Sequence, residues 1–288
     1  MRISTRMLQD SAMRSIRGNQ ETLARMQEQA ATGRRVRTIS DDPVAATQIM
    51  RSESEVRDFE QFRRNGIEAS TRMGTEDVVL TSARDLLKQA SGLAVSVAGR
   101  DVTDPQRQAM ADAIEQLRQE LVSYGNTRVG NEFIFGGASS TVPPFQADGT
   151  YVGDAVVREI EIDRGVMLPT NHPGDDVFSD ALQGLADLEQ ELRTGTKASI
   201  DAAVNGLQTA GNQIVLAQSE TGTRLQQITA TTSSLALRTA NLLDQRDALR
   251  DVDPAEASVK VVLAQSALER AYAAIGKVMS TNLLDYLR

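Results

Sequence analysis

Residues 40–46 read Ser-Asp-Asp-Pro-Val-Ala-Ala. Adjacent carboxylates can clamp a divalent cation, serve as half of a general acid–base pair, or begin a helix. His172 is the one histidine, so it alone could serve a Ser-His-Asp relay. It lies in Pro169-Thr170-Asn171-His172-Pro173 with no nucleophile elbow beside it, and the expectation is a solvated loop residue. One histidine and no cysteine cannot supply the nitrogen and sulfur ligands of a zinc site. Gly195-Thr196-Lys197 lacks the Gly-Lys-Ser/Thr ending of a phosphate loop, and Asp251-Val252-Asp253 lacks the further ligands and glycine of a calcium loop. Gly130 to Gly137 has the wrong spacing for a dinucleotide fingerprint. The expectation is therefore no catalytic residue, no metal, no cofactor, and a protein that is not an enzyme.

The aspartates read better as helix starts. Proline suits the first helical position because its missing N–H would be unpaired there. An aspartate before it accepts bonds from the free amides and faces the positive end of the helix dipole. The pattern occurs three times, at Asp42-Pro43, Asp104-Pro105 and Asp253-Pro254. After the last, Glu256 stands where a capping box would place it. Asp41 has no role in this reading.

Those caps imply long helices. From residue 200, every seventh position reads Ile200, Leu207, Ile214, Thr221, Ile228, Leu235, Leu242 and Leu249. The partner register of Val204, Gly211, Gln218, Leu225, Thr232, Thr239 and Arg246 is mostly small or polar. This 3,4 spacing predicts a long helix with a narrow packed seam and hence an elongated molecule. Val79, Ala83, Leu86, Ala90, Leu93 and Val97 repeat the spacing, as do Met110, Ile114, Leu117 and Leu121. Both ends carry it too. Ile16, Leu23, Met26 and Ala30 share a stripe with Gln9 and Asn19, and Val261, Ala264, Leu268, Ala271, Ile275 and Val278 form another, extended by Leu283, Leu284 and Leu287. A terminal amphipathic helix needs a partner, and each end is the natural partner of the other.

Between about 131 and 175 the period changes. Asn131 to Gly137 reads as a short strand run, Phe145 to Val152 as a hairpin about Asp148-Gly149, and Arg158 to Ile162 as a strand turning at Asp163-Arg164-Gly165. The fold class expected is mainly α with a small β insertion.

Composition agrees. Aromatics are 3% of the 288 residues and tryptophan is absent, which suits thin helical bundles better than a thick core. Residues 1–37 carry a net +5 and the rest −13, against −8 in total, so nucleic acid is a poor partner. The arginine-rich start could be an organelle address or a membrane-surface helix, but its three acids favour a solvated or partner-facing helix. No apolar run approaches the ~20 residues of a membrane span, so no membrane insertion is expected, and no cleaved secretory signal is evident.

Gly33-Arg34-Arg35, followed by Ser40 to Ala46, resembles the N-terminal signature of the bacterial flagellin family. The opening Met1-Arg2-Ile3-Ser4-Thr5, the ending Asn282-Leu283-Leu284-Asp285-Tyr286-Leu287, the Asn131–Gly137 run and Tyr151-Val152-Gly153-Asp154 point to its hook–filament junction branch rather than to the filament subunit. Asn282 stands where serine is expected. The resemblance spans essentially the whole chain and implies long antiparallel helices, with the N- and C-terminal helices paired as a coiled coil. Residues 1–35 plus 252–288 would form an inner terminal-helix domain. Residues 36–137 plus 176–251 would form a helical rod with a short β-hairpin, and 138–175 a small outer β domain. It also implies a ring of identical subunits between a hook-side hook-associated protein and the flagellin filament. Export would follow the flagellar type III route without a cleaved signal, to an extracellular site, with a chaperone on the C-terminal helix. Ile16, Leu23, Met26, Val261, Leu268, Ile275, Val278, Leu283 and Leu287 are then the expected assembly residues.

The filament subunit itself is the alternative within the family. A signalling coiled coil would share the heptads but lack the insertion and the terminal signatures. A hydrolase would need partners around His172 that the sequence does not provide.

Overall fold

The computed structural model describes residues 2–98, 103–138 and 141–286, with side chains throughout except at 2–6, 8, 9, 97, 98 and 278–286. Leu287 therefore lies outside the described residues, and so do the side chains of Val278 and Leu283. The chain is mainly α with a small β insertion. Its helices are α1 (Arg2–Thr32), α2 (Pro43–Ala98), α3 (Asp104–Gly125), α4 (Asp180–Thr194), α5 (Lys197–Arg250) and α6 (Pro254–Tyr286). Between α3 and α4 come β1 (Arg128–Val129), β2 (Glu132–Phe133), β3 (Glu159–Asp163) and β4 (Val166–Pro169), then a π-helical turn at Asp175–Ser179.

Contacts divide the chain into two compact units, Met1–Arg57 with Arg238–Arg288, and Asp58–Leu237. The divisions fall inside α2 and α5, whereas the family resemblance implies domain boundaries at 35/36 and 251/252. A continuous helix shows no break in composition where its packing partners change.

The unit Asp58–Leu237 holds the main core. Leu80, Ala83, Ala90, Ile114, Leu121, Leu185, Leu188, Leu192 and Ile214 are all fully buried in it. Along α2 two stripes are covered, Val79-Ala83-Leu86-Ala90 and Met73-Leu80-Leu87-Ala94, so this helix is enclosed on more than one side. On α5 the aliphatic register from Ile200 to Leu235 is inside as the heptads predict. The companion register differs. Ala210 and Ala217 are buried, while Gly211 and Gln218 are only partly so. A helix of 3.6 residues per turn drifts against a strict seven-residue repeat, and the seam has moved by one residue onto the alanines.

The insertion contains two antiparallel hairpins. In β1–β2, Arg128 pairs with Phe133 about a turn in which Gly130 takes φ 61°. The strand expected through Asn131–Gly137 is thus only two residues long, because Ile134–Gly137 leaves the ladder to bury Ile134 and Phe135. In β3–β4, Ile160 pairs with Leu168 about Gly165 at φ 74°. Asp148-Gly149 does make a tight turn, but around the single bridge Phe145–Tyr151 rather than a full hairpin. Four of the ten aromatics gather here. The Phe178 ring stands edge-on to Phe135 at 4.8 Å and to Phe145 at 6.0 Å, and Phe145 meets Tyr151 at 5.1 Å. Such edge contacts suit the ring quadrupoles. Burial, foremost, pushes the Tyr151 hydroxyl up to about 12.

Candidate functional site

α1 and α6 pack along each other within the unit Met1–Arg57 with Arg238–Arg288. Gln20 Nε2 donates to the Tyr272 hydroxyl at 2.9 Å, and Arg34 bridges Asp251. Position rises along one helix as it falls along the other, so the pair is antiparallel. Its seam on α6 reads Ala257, Val261, Ala264, Leu268, Ala271 and Ile275, a clean 4,3 spacing, with Ala257 and Ala264 buried and the others half-buried. On α1 the half-buried positions are Ala12, Ile16, Asn19, Leu23, Met26 and Gln29. Ala30, expected on this stripe, is exposed, and Gln29 takes its place, donating to the Arg35 carbonyl at 3.2 Å.

The seam is thin because alanine, asparagine and glutamine fill half of it. Burying a whole aliphatic side chain contributes roughly 1.5–3 kcal/mol, and here the aliphatic ones are only half covered. α6 also has a second apolar face that heptad reading missed. Val259, Val262 and Leu263 are exposed at 58%, 62% and 59%. Their i, i+3, i+4 spacing was available in the sequence, but it lies beside the stronger seam and merges with it.

Where α1 ends and α6 begins, two loops form a collar. The Gly33 carbonyl accepts from Val252 N–H at 2.9 Å, and the Arg250 carbonyl accepts from Arg35 N–H at 2.6 Å. Gly33 adopts φ 68°, the left-handed conformation that ends a helix at little cost to glycine. The Arg35 guanidinium meets Asp42 Oδ2 at 3.0 Å and donates to the Leu249 carbonyl at 2.8 Å. Val36, Ala45, Ala46 and Ile49 form a small core beneath, with Leu249 against it. Arg37 pairs with Glu28, and Arg25 and Arg34 line the same surface pocket.

The two aspartates of the opening motif divide the work. Asp42 Oδ1 accepts from Ala45 N–H at 3.0 Å, which is an N-cap. Asp41 Oδ2 accepts from Arg37 N–H at 3.1 Å, Thr38 N–H at 2.9 Å and the Thr38 hydroxyl at 3.1 Å, and so closes the loop that precedes α2. The Thr38 and Arg37 amides hold the Asp41 carboxyl below its ordinary value, and the Ala45 amide and then Arg35 do the same for Asp42. Asp253 likewise caps α6, accepting from Ala255 N–H at 2.8 Å with Pro254 as the first helical residue. Glu256 reaches Lys260 at 2.7 Å instead of turning back to the cap. Asp104 and Pro105 need correction. Thr103 is the N-cap of α3, and Gln106 Oε1 accepts from its N–H at 3.1 Å. Asp104 and Pro105 are the first two helical residues, because Thr-x-x-Gln offers a cap one position earlier.

His172 is not the solvated residue expected. Its side chain is 12% exposed and lies against Glu76 of α2 and Glu220 of α5. Among the described residues, no group of three or more His, Cys, Asp or Glu side chains has a geometry that could hold a metal ion. No helix among them is long and apolar enough to cross a membrane.

The antiparallel pair places the two ends of the sequence side by side, and those ends are what match known proteins. The model of the bacterial flagellin N-terminal helical region matches residues 3–140, and that of the C-terminal helical region matches 204–287. Together they span more than three quarters of the chain. The chain belongs to the bacterial flagellin family. Within it, flagellar hook-associated protein 3 of Escherichia coli strain K12 is 26% identical over 316 aligned residues, covering 99% of each chain. Among solved structures, Bacillus cereus FlgL is similar in fold, with a TM-score of 0.62 at 19% identity over 68% of this chain and 99% of that one. The flagellar junction protein FlgL from Legionella pneumophila gives a TM-score of 0.57 at 14% identity over 72% of this chain and 100% of that one. The flagellin-family α1 and α2 regions are thus joined through the collar to the flagellin-family α6 region.

Proposed function

We propose that this protein is a structural junction component of the bacterial flagellum, set between the hook side and the flagellin filament. The observation that supports this best is the antiparallel α1–α6 pair, which joins the two flagellin-family regions, in a chain that aligns end to end with a hook-associated protein 3. Copies would form a ring, touching a hook-associated protein on one side and flagellin on the other. Ile16, Leu23, Met26, Val261, Leu268 and Ile275 hold α1 to α6, and Val278, Leu283 and Leu287 continue the C-terminal stripe in sequence. The exposed Val259, Val262 and Leu263 face then meets a neighbouring copy. Before assembly a helix with so much apolar surface is an aggregation hazard, and an export chaperone holds α6 by the face that α1 later covers. The role is structural rather than catalytic, and the site of action is outside the cell, reached by the flagellar export route.

Immunogold labelling of an epitope-tagged chain on isolated flagella tests this reading. The expected result is one band at the hook–filament boundary. Label along the filament would make the chain a filament subunit, and label absent from flagella would end the proposal.

A further inference from the structure

The one histidine lies at the centre of a partly buried charge cluster that the assembly role does not use. His172 Nδ1 is 2.5 Å from Glu76 Oε1, and its Nε2 is 3.2 Å from Glu220 Oε2. Glu76 is 1% exposed and belongs to α2, while Glu220 is 60% exposed and belongs to α5. Arg224, one turn along α5, meets the same Glu220 oxygen at 3.1 Å. These are the charged groups that face the ring from the two helices. Glu76 Oε2 and Arg224 Nη1 are buried and have no hydrogen-bond partner among the described residues. The loop carrying His172 is itself held. Asn171 Oδ1 accepts from Arg158 N–H at 2.7 Å, and Gly174 N–H donates to the Phe135 carbonyl at 2.9 Å. Nearby, Ile162 and Leu168 of the β3–β4 hairpin pack with Met73 of α2 and Ile228 of α5.

Carboxylate oxygens accept and do not donate when ionised. Both ring nitrogens face one, so both contacts are hydrogen bonds only when both nitrogens carry protons. A neutral ring can keep Nδ1–H toward Glu76, but its Nε2 lone pair then points at the Glu220 carboxylate. We propose that His172 is a proton-dependent clasp. As imidazolium it fastens the 169–174 loop to α2 and α5 together, and on losing the Nε2 proton it lets go of α5. Glu220, being exposed, then turns to solvent, while the buried Glu76 contact remains. The insertion is thereby held in two grips below the His172 midpoint and in one grip above it.

The electrostatics run the same way. Burial pulls the imidazole down, but the Glu76 bond and charge and the Glu220 bond outweigh it with Arg224 opposing, and His172 titrates above its ordinary 6.5. A raised value means stability fully present below 6.5 and lost as pH rises through the folded value.

Because the chain has one histidine, a single imidazole Cε1–H signal reports the titration without assignment. In the full chain its midpoint is expected above 6.5, and Glu220→Gln, an exposed change that keeps the fold, is expected to lower it. Gly174 amide protection, corrected for the intrinsic effect of pH, should fall through the same midpoint in wild type, and in Glu220→Gln, whose neutral amide can face either state of Nε2, that step should be lost. In His172→Gln it should show no such step. A wild-type midpoint at or below 6.5, or one that Glu220→Gln leaves in place, would overturn the clasp. So would Gly174 protection that ignores the midpoint.

Discussion

Arg35 donates from Nη2 to the Leu249 carbonyl at 2.8 Å, across 214 positions of sequence. Its other arm, Nη1, holds the Asp42 carboxylate at 3.0 Å. One guanidinium therefore satisfies an orphan carbonyl at the end of α5 and fixes the cap at the start of α2. A lysine offers one compact charge and no fork, so it cannot reach both. Thermal melts should rank Arg35→Lys well below wild type and close to Arg35→Ala. A lysine variant as stable as wild type would show that the fork is not what joins the two loops.

The three Asp-Pro pairs should respond differently to alanine. Asp253→Ala removes a lone cap and should cost about 1 kcal/mol. Asp42→Ala should cost more, since it also frees Arg35. Asp104→Ala should cost little, because Thr103 holds the cap of α3, and Thr103→Ala should exceed it. Chemical denaturation of the four variants gives the ranking. Asp104→Ala as damaging as Asp253→Ala would contradict the placement of the α3 cap.

The collar should be acid-sensitive. Backbone amides and arginines hold the carboxyls of Asp41 and Asp42 below their ordinary value of 3.8, and Arg250 does so for Asp251. A depressed carboxyl contributes stability that is present above its unfolded value and lost as pH falls through the folded one. Melting temperature should therefore drop below about pH 4. Asp41→Asn should make that drop shallower while lowering the plateau above it. An unchanged acid slope in Asp41→Asn would mean that its three loop bonds do not act as a unit.

Long helices were the easiest part to read, because heptads state their own period. Seven-residue spacing pointed to the buried register from Ile200 to Leu235, and Asp42-Pro43 and Asp253-Pro254 to the starts of α2 and α6. The companion register was off by one residue, since straight helices do not follow a strict heptad. Asp41 stayed opaque because its partners are mainly backbone amides, and Arg35 because Leu249 is far away in sequence. His172 was misjudged for a related reason. Prolines on both sides suggest an open loop, while the helices that enclose it come from positions 76 and 220. The aromatic cluster was hidden by its own scarcity, with only ten rings in total and four of them drawn into one place.

Two glycines separate close packing from backbone freedom. A Cβ on Gly174 would lie 2.7 Å from Phe145 Cε2 and 2.9 Å from Tyr151 Cε2, so Gly174→Ala should destabilise by about 1–3 kcal/mol. Gly206, exposed within α5, has nothing within 4 Å of its Cβ position, and Gly206→Ala should stabilise by about 0.5–1 kcal/mol. Opposite signs in a single denaturation series are the expected result. A neutral Gly174→Ala would mean that the aromatic cluster is loosely packed.

The proposed assembly role rests on α1 and α6 acting as one surface, and complementation tests it most directly. In a strain of the source bacterium lacking this protein, the wild-type chain should restore filaments. The Leu268→Asp, Ile275→Asp double variant charges the seam but leaves the 58–237 core untouched. Its core should melt as in wild type, yet filaments should fail to grow and flagellin should accumulate in the medium. Normal filaments from a strain carrying that double variant would contradict the paired terminal helices as the assembly surface.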